Sequence, residues 1–294
     1  MEKQVTGTPN FELHCHSKHS LSSSVLTEGI CSPSEIVGHA KRIGLSGIAI
    51  TDHDSIKGWK EAKIAAMKHK IIFIPGCEIT TAAGHIVGLG INEFIRPGMG
   101  VEETIERIRS QGGIAIAPHP FDIKCEGVMD EFIKADAVEI FNALNSRMSD
   151  GIARRRARRT GMPFTGGSDA HTLEMIGNVR NIIDADNMDD IIRKIKKGRV
   201  TITGRPVQLG ALVRWTRQRM TLSHEAALAY INENYFMFKA WMSKGLLEKF
   251  VNSDSNKWMI LAWAGFFLTT YYAAGRVVYE ELFLRLTRKY SDLY

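Results

Sequence analysis

A chain of 294 residues, 44% hydrophobic and 24% charged, has the composition of an ordered protein with a full core, which excludes a disordered or fibrous chain. Its net charge of +6 favours anionic partners such as phosphates, nucleic acids or acidic lipid surfaces, and says nothing of fold. The cysteines Cys15, Cys31, Cys77 and Cys125 form no CxxC pair and the N-terminus MEKQVTGTPN lacks an apolar leader core, so a reducing cytoplasm is the expected location.

From Phe11 to about Thr203, short apolar runs alternate with amphipathic stretches, the signature of β/α units around a parallel sheet. In chain order the predicted strands are FELHCH (11–16), GIAIT (47–51), IIFIP (71–75), HIVGLG (85–90), IAIAP (114–118), AVEIF (137–141), PFTGG (163–167), NVRNII (178–183) and VTIT (200–203). Between them, Ser32, Pro33 and Glu35 predict a capping box with proline at the first helical position, and 101–111 and 188–197 carry helical spacing. The alternation suits a barrel or a doubly wound sheet, and either gathers polar residues from strand C-terminal ends at one face.

The alternation stops at Gly204-Arg205-Pro206, which divides the chain into a β/α region, 1–206, and a helical region, 207–294. Within the latter, 223–250 is amphipathic, and 258–275 (WMILAWAGFFLTTYYAAG) has no charged residue. That stretch reads as a membrane-associated segment, with Trp and Tyr near its ends, or as a buried or dimerising helix.

The chemistry lies in histidines and acids that recur at the strand ends: His14 and His16, Asp52-His53-Asp54, Glu78, His85, His119, then Asp169 and His171. Residues two apart in a strand share a face, so His14 with His16, and Asp169 with His171, each offer a paired grip on one centre. Imidazoles with carboxylates suit Zn, Mn or Fe, and Glu78 can bridge two ions. Such ions would turn water into a nucleophile near neutral pH and neutralise an anionic phosphate. His39, His69 and His224 lie in helical stretches without acidic partners and are set aside. Cys15 and Cys77, although flanked by candidate ligands, read as small buried fillers pointing away from them.

These motifs, LHCHS (13–17), GIAITDHD (47–54), PGCEIT (75–80), HIVGLGI (85–91), APHP (117–120) and GGSDAH (166–171), resemble in type and order the PHP (polymerase and histidinol phosphatase) superfamily of metal-dependent phosphoesterases. The resemblance covers about 11–206 and implies a distorted (β/α)7 barrel, followed here by the helical C-terminal region, with two or three divalent ions at the strand C-terminal ends. It implies that His14, His16, Glu78 and Asp169 hold one ion, that Glu78, His85 and His119 hold a second, and that His53 and His171 hold a third. Similar proteins supply a further third-ion ligand shortly after the HxHS motif, where this chain has Leu21 and Ser22, with His19 as a neighbouring substitute.

Asn142 and Arg147, just beyond AVEIF, are candidate substrate contacts at the mouth, the guanidinium because it makes paired hydrogen bonds to phosphate. Asp52 is a candidate for orienting a ligand histidine or shuttling a proton. The run ARRRARR (153–159) reads as the solvated outer face of a barrel helix rather than a nucleic-acid grip. The function expected is hydrolysis of a phosphate ester by a metal-activated water, the substrate being a small phosphomonoester such as a nucleotide or the end of a nucleic-acid chain. The alternatives are a non-catalytic metal-binding scaffold and a C–N bond hydrolase on a similar barrel.

Overall fold

In the computed structural model, which describes residues 7–21, 26–124 and 126–252, one nine-stranded sheet curls into a nearly closed barrel. Its strands are β1 (Asn10–Glu12), β2 (Gly47–Ile50), β3 (Ile72–Thr81), β4 (Gly84–Leu89), β5 (Ile114–Ala117), β6 (Ala137–Asn142), β7 (Phe164–Gly167), β8 (Val179–Ile182) and β9 (Thr201–Gly204), in the spatial order β7-β6-β5-β4-β3-β2-β1-β8-β9. The helices are α1 (Pro33–Arg42), α2 (Trp59–His69), α3 (Val101–Ser110), α4 (Arg147–Thr160) and α5 (Met188–Lys196), then α6 (Leu209–Leu222), α7 (His224–Asn234) and α8 (Met237–Asn252).

Two devices bring the two sides of the sheet together. Beyond β1, Cys15 pairs in parallel with Ala170, which follows β7. The Asn181 side chain of β8 accepts from Gly166 N at 2.9 Å and donates to Gly166 O at 2.7 Å, so an amide side chain replaces part of a missing backbone ladder. β1 is also shorter than the predicted 11–16. After Glu12 the backbone leaves a regular ladder and bonds to both sides, with Thr51 N donating to Cys15 O and His16 N to Ala170 O.

The sheet is not all parallel, which corrects the expectation. The pairs β1-β2, β2-β3, β5-β6 and β6-β7 are parallel, while β3-β4, β4-β5, β1-β8 and β8-β9 are antiparallel. At β3-β4 the reason is chain length: only Ala82 and Ala83 separate the two strands, and a parallel return needs a crossover of about a dozen residues. Gly84, at φ 137°, closes that turn against the backbone of Gly127, where a Cβ would sit 2.7 Å from a carbonyl carbon.

The helices pack their apolar stripes on the barrel's outer face. Ser32 caps α1 with the predicted box, Pro33 at its first position and Glu35 reaching back to Ser32 N at 2.8 Å. In α4, Ile152, Ala153 and Ala157 are buried while Arg154, Arg155, Arg158 and Arg159 face solvent, as expected of an outer helix. Cys15 and Cys77 are buried, their Sγ atoms against the carbonyls of Ala49 and Asp52, and burial pushes both thiols up.

Asp150, inside the first turns of α4, accepts from Asn142 N and Asn145 Nδ2, yet burial outweighs these bonds and pushes its carboxyl from 3.8 to about 7. The folded state therefore binds a proton that the unfolded chain has released, and stability falls as pH rises from about 4 to about 7. Asp150→Asn keeps the acceptor oxygen and removes that loss. Chemical denaturation should show the variant more stable than wild type by on the order of 2 kcal/mol at pH 8, and equal near pH 4.

The helical region begins as part of the barrel: Val207, Ala211 and Trp215 share a core cluster with Ile36, Val37 and Ala65 of α1 and α2. The predicted amphipathic stretch 223–250 is broken into α7 and α8 near Tyr235, and Phe236, Phe238 and Trp241 of this region face solvent. Among the described residues no helix is long and apolar enough to cross a membrane. The segment 258–275 lies outside them.

Candidate metal centre

The barrel fold sends eight donor side chains to one rim. His14 and His16 follow β1, His53 follows β2, His119 follows β5, and Asp169 and His171 follow β7. His85 comes from the start of β4, which is antiparallel to β3, so its N-terminal end lies at the same rim. Glu78 in β3 sits at the middle and its two oxygens face two different sets. Oε2 is 3.0 Å from His14 Nε2, 3.2 Å from His16 Nε2 and 3.5 Å from His53 Nε2. Oε1 is 3.0 Å from His119 Nε2 and 3.2 Å from His85 Nδ1. Asp169 Oδ1 adds contacts of 3.2 Å to His16 and 3.7 Å to His14.

These residues form four overlapping donor groups, each with its ligand atoms within 4.8 Å: His14, His16 and Glu78; His53, Glu78 and His85; His16, Asp169 and His171; His14, His119 and Asp169. The arrangement fits a cluster of cations and fits poorly without one. His14 Nδ1 lies 2.9 Å from Glu139 Oε1, so it carries the proton. The Nε2 lone pair then points at Glu78 Oε2 and at His16 Nε2, 3.2 Å away, electron pair against electron pair. Positive charge must lie between them, as protons or as metal. The buried His85 Nδ1 is likewise without hydrogen-bond geometry.

The protons show the same demand for charge. Burial opposes ionisation of His16, but Asp169 and Glu78 outweigh it and lift the imidazole to about 10; burial and Glu78 act likewise on His119, lifted to about 9. At His53, burial prevails and lowers the ring to about 3. Burial raises Glu78 and Asp169, but the surrounding histidines hold both carboxylates well below their ordinary range.

A ring of supporting groups fixes the donors. Glu139 of β6 holds His14 through Oε1, and its Oε2 accepts from His119 N at 3.1 Å and from Asn142 Nδ2 at 3.0 Å. Glu12 accepts from the backbone N–H groups of His14, Ser168 and Gly177, and burial pushes its carboxyl to about 7. Donor backbones are strained: His119 and Asp169 have φ of 27° and 49°, a left-handed conformation in which non-glycine residues are retained when their surroundings fix them. Gly167 is required where Glu139 passes, since a Cβ there would lie 2.1 Å from Glu139 Oε1. Gly167→Ala should therefore displace Glu139 and lower stability by about 1–3 kcal/mol in a denaturant titration.

The remaining predicted residues lie around this centre. Asp52 belongs to none of the donor groups; its oxygens accept from Ser17 N and Ser17 Oγ, which holds the loop carrying His16. Asn142 is buried and joins Glu139 to Asp169 Oδ2. Arg147 opens α4 and faces solvent. Leu21 is exposed, and His19 belongs to no donor group.

Three supporting residues were not anticipated. Glu139 and Glu12 were visible as acids inside apolar strand runs, where a buried charge needs a partner. Glu28 was hidden by distance along the chain: its Oε2, buried and without a hydrogen bond, lies 3.5 Å from His53 Nε2.

Comparison with known proteins agrees with this reading. A family model described as PHP-associated matches residues 149–200. An uncharacterised protein of Methanocaldococcus jannaschii is 39% identical over 147 residues, 48% of this chain and 84% of that one. A 3',5'-nucleoside bisphosphate phosphatase of Chromobacterium violaceum is 34% identical over 113 residues, 35% of this chain and 37% of the phosphatase. A crystal structure of a two-domain protein of Bacteroides vulgatus, described as containing a predicted PHP-like metal-dependent phosphoesterase, superposes with TM-score 0.56 at 17% identity, over 72% of this chain and 70% of that one, a likeness of fold. Motif order, barrel and relatives converge: the chain belongs to the PHP superfamily.

Proposed function

We propose that this chain hydrolyses phosphate esters at the cluster around Glu78, with a nucleotide-type phosphomonoester or the end of a nucleic-acid chain as substrate. The observation that carries the reading is the division of Glu78: one oxygen faces His14, His16 and His53, the other His85 and His119. A carboxylate placed so would bridge two ions, with Asp169 serving the first; His171, which groups with His16 and Asp169, and His53, beside Glu28, are the residues we propose for a third. The thiolate-free donor set suits Zn, Mn or Fe. When bound, such ions supply charge neutralisation at the phosphoryl group and an activated water.

The chain's own residues do the rest. Glu139 fixes the His14 tautomer, Asn142 holds Asp169, and exposed Arg147, which opens α4 after β6, is the residue we propose to meet phosphate. The net charge of +6 favours an anionic substrate, and the named activity of the Chromobacterium violaceum relative supports the nucleotide class. The catalytic unit we propose is 1–206, with 207–294 as the helical region whose partner, a membrane surface or a second chain, acts through 258–275.

Phosphate release from nucleoside monophosphates, nucleoside bisphosphates and short oligonucleotides, measured for the full chain with Mn, Zn or Fe, tests the proposal. Release from one of these classes, dependent on metal, is expected. Stoichiometric ion binding with no ester cleaved would favour a scaffold, and cleavage confined to C–N bonds would replace the reaction class.

A further inference from the structure

The face of α6 formed by Trp215, Arg219 and Ser223, spaced four residues apart, touches the metal centre from outside the barrel. Trp215 is only 8% exposed. Its ring lies 4.5 Å from the His171 imidazole at 42°, and a second ring neighbour of that imidazole is His16, at 4.4 Å and 17°. His171 is thus packed by two rings, while its Nδ1 bonds to the Asp169 carbonyl at 2.8 Å. The ring plane, and with it the direction of Nε2, is set by these three contacts.

The same helix holds the loop that brings Glu28 to His53. Trp215 Nε1 donates to Glu28 O at 2.9 Å, Arg219 Nε donates to Thr27 O at 2.6 Å, and Thr27 N donates to Ser223 Oγ at 2.9 Å. Arg219 also lies over the Trp215 ring at 4.8 Å. From the other side, Gly29 presses on the Ser17 carbonyl, where a Cβ would lie 2.1 Å away. The loop is clamped between the HxHS turn and α6, and the clamp is fixed to the barrel through Ala211 and Val207.

We propose that Trp215 is a positioning residue for the metal centre: it orients His171 and fixes the Glu28 loop beside His53, so that a third ion held by the residues proposed above for it, His53, His171 and Glu28, would depend on a helix outside the motif-bearing barrel. The proposal rests on the metal-centre reading above. It predicts that the helical region and the last-bound ion are linked, while the ions served by Glu78, His14, His85 and His119 are not.

The test is ion binding by the full chain, followed by calorimetry and by elemental analysis after dialysis against Mn or Zn, for wild type, Trp215→Phe, Trp215→Ala and, as a control, Trp241→Ala, whose indole on α8 is 71% exposed. Trp215→Ala should weaken the last ion by about tenfold or more, the range seen when outer partners of metal ligands are removed, with the earlier ions within about threefold of wild type. Trp215→Phe keeps the ring and loses the N–H to Glu28, and should fall between; the control should match wild type. If Trp215→Ala fails to fold by circular dichroism, Trp215→Phe decides alone, and wild-type affinity for every ion in it overturns the proposal. Equal weakening of all ions, or of none, in a folded Trp215→Ala also overturns it. A wild-type chain that binds no ion would instead sink the metal-centre reading itself.

Discussion

Glu78→Gln should reduce metal-dependent hydrolysis by about 10³-fold or more and remove most of the bound metal, while leaving the protein folded. The carboxylate is in contact with five imidazoles, three through one oxygen and two through the other. A carboxamide of the same shape has one oxygen and an N–H₂ group in their place. The charge that would draw ions to the centre is lost, and one of the two oxygens that would hold them becomes a hydrogen-bond donor. In the metal-free protein that donor can bond to His53, whose ring burial keeps neutral, while His16 and His119 lose the carboxylate that favours their charged forms. Loss of metal in a variant that keeps its folded circular dichroism spectrum separates this from a simple loss of fold. Elemental analysis and a phosphate-release assay on the same preparation measure both.

Glu139→Gln should weaken ion binding by about 10–100-fold, although Glu139 is not itself a donor to the centre. Its Oε1 sets which nitrogen of His14 is free, and its Oε2 holds the strained turn at His119 and the amide that supports Asp169. The neutral amide gives His14 Nδ1–H a weaker acceptor, so the ring is held less firmly and is a poorer electron donor. Isothermal titration with Zn or Mn should show the loss in affinity with the number of ions unchanged, a pattern unlike that of Glu78→Gln.

The local patterns of this chain carried much of the fold. Each of the nine predicted strands meets an observed one, because a buried strand in such a barrel is a short apolar run between turn residues. The direction of the strands was less legible: the two-residue turn at Ala82 and Ala83 was concealed because IIFIP and PGCEIT form one ten-residue strand rather than a strand and a loop. The eight side chains that the fold gathers at one rim were visible because histidines and acids at strand ends stand out against apolar neighbours. Glu28 was not, because its nearness to His53 arises from a loop that runs beyond the HxHS turn and is folded back by a helix nearly 190 residues later, with the Trp215 to Glu28 bond spanning 187 positions. Spacing within a motif cannot show such a contact. Asp52 illustrates the converse: its neighbour His53 faces the centre, while its own oxygens bond to Ser17, since adjacent residues leave the backbone on opposite sides.

The most direct test of a metal-dependent phosphoesterase at this centre is hydrolysis of an aryl phosphate by the full chain after chelation and dialysis, with Mn, Zn or Fe then added back in measured steps. The account predicts an inert metal-free protein whose activity returns in proportion to ions bound, saturating at two or three per chain. Hydrolysis that survives complete removal of metal, or a chain that binds these ions nowhere near His14, Glu78 and His119, would contradict it.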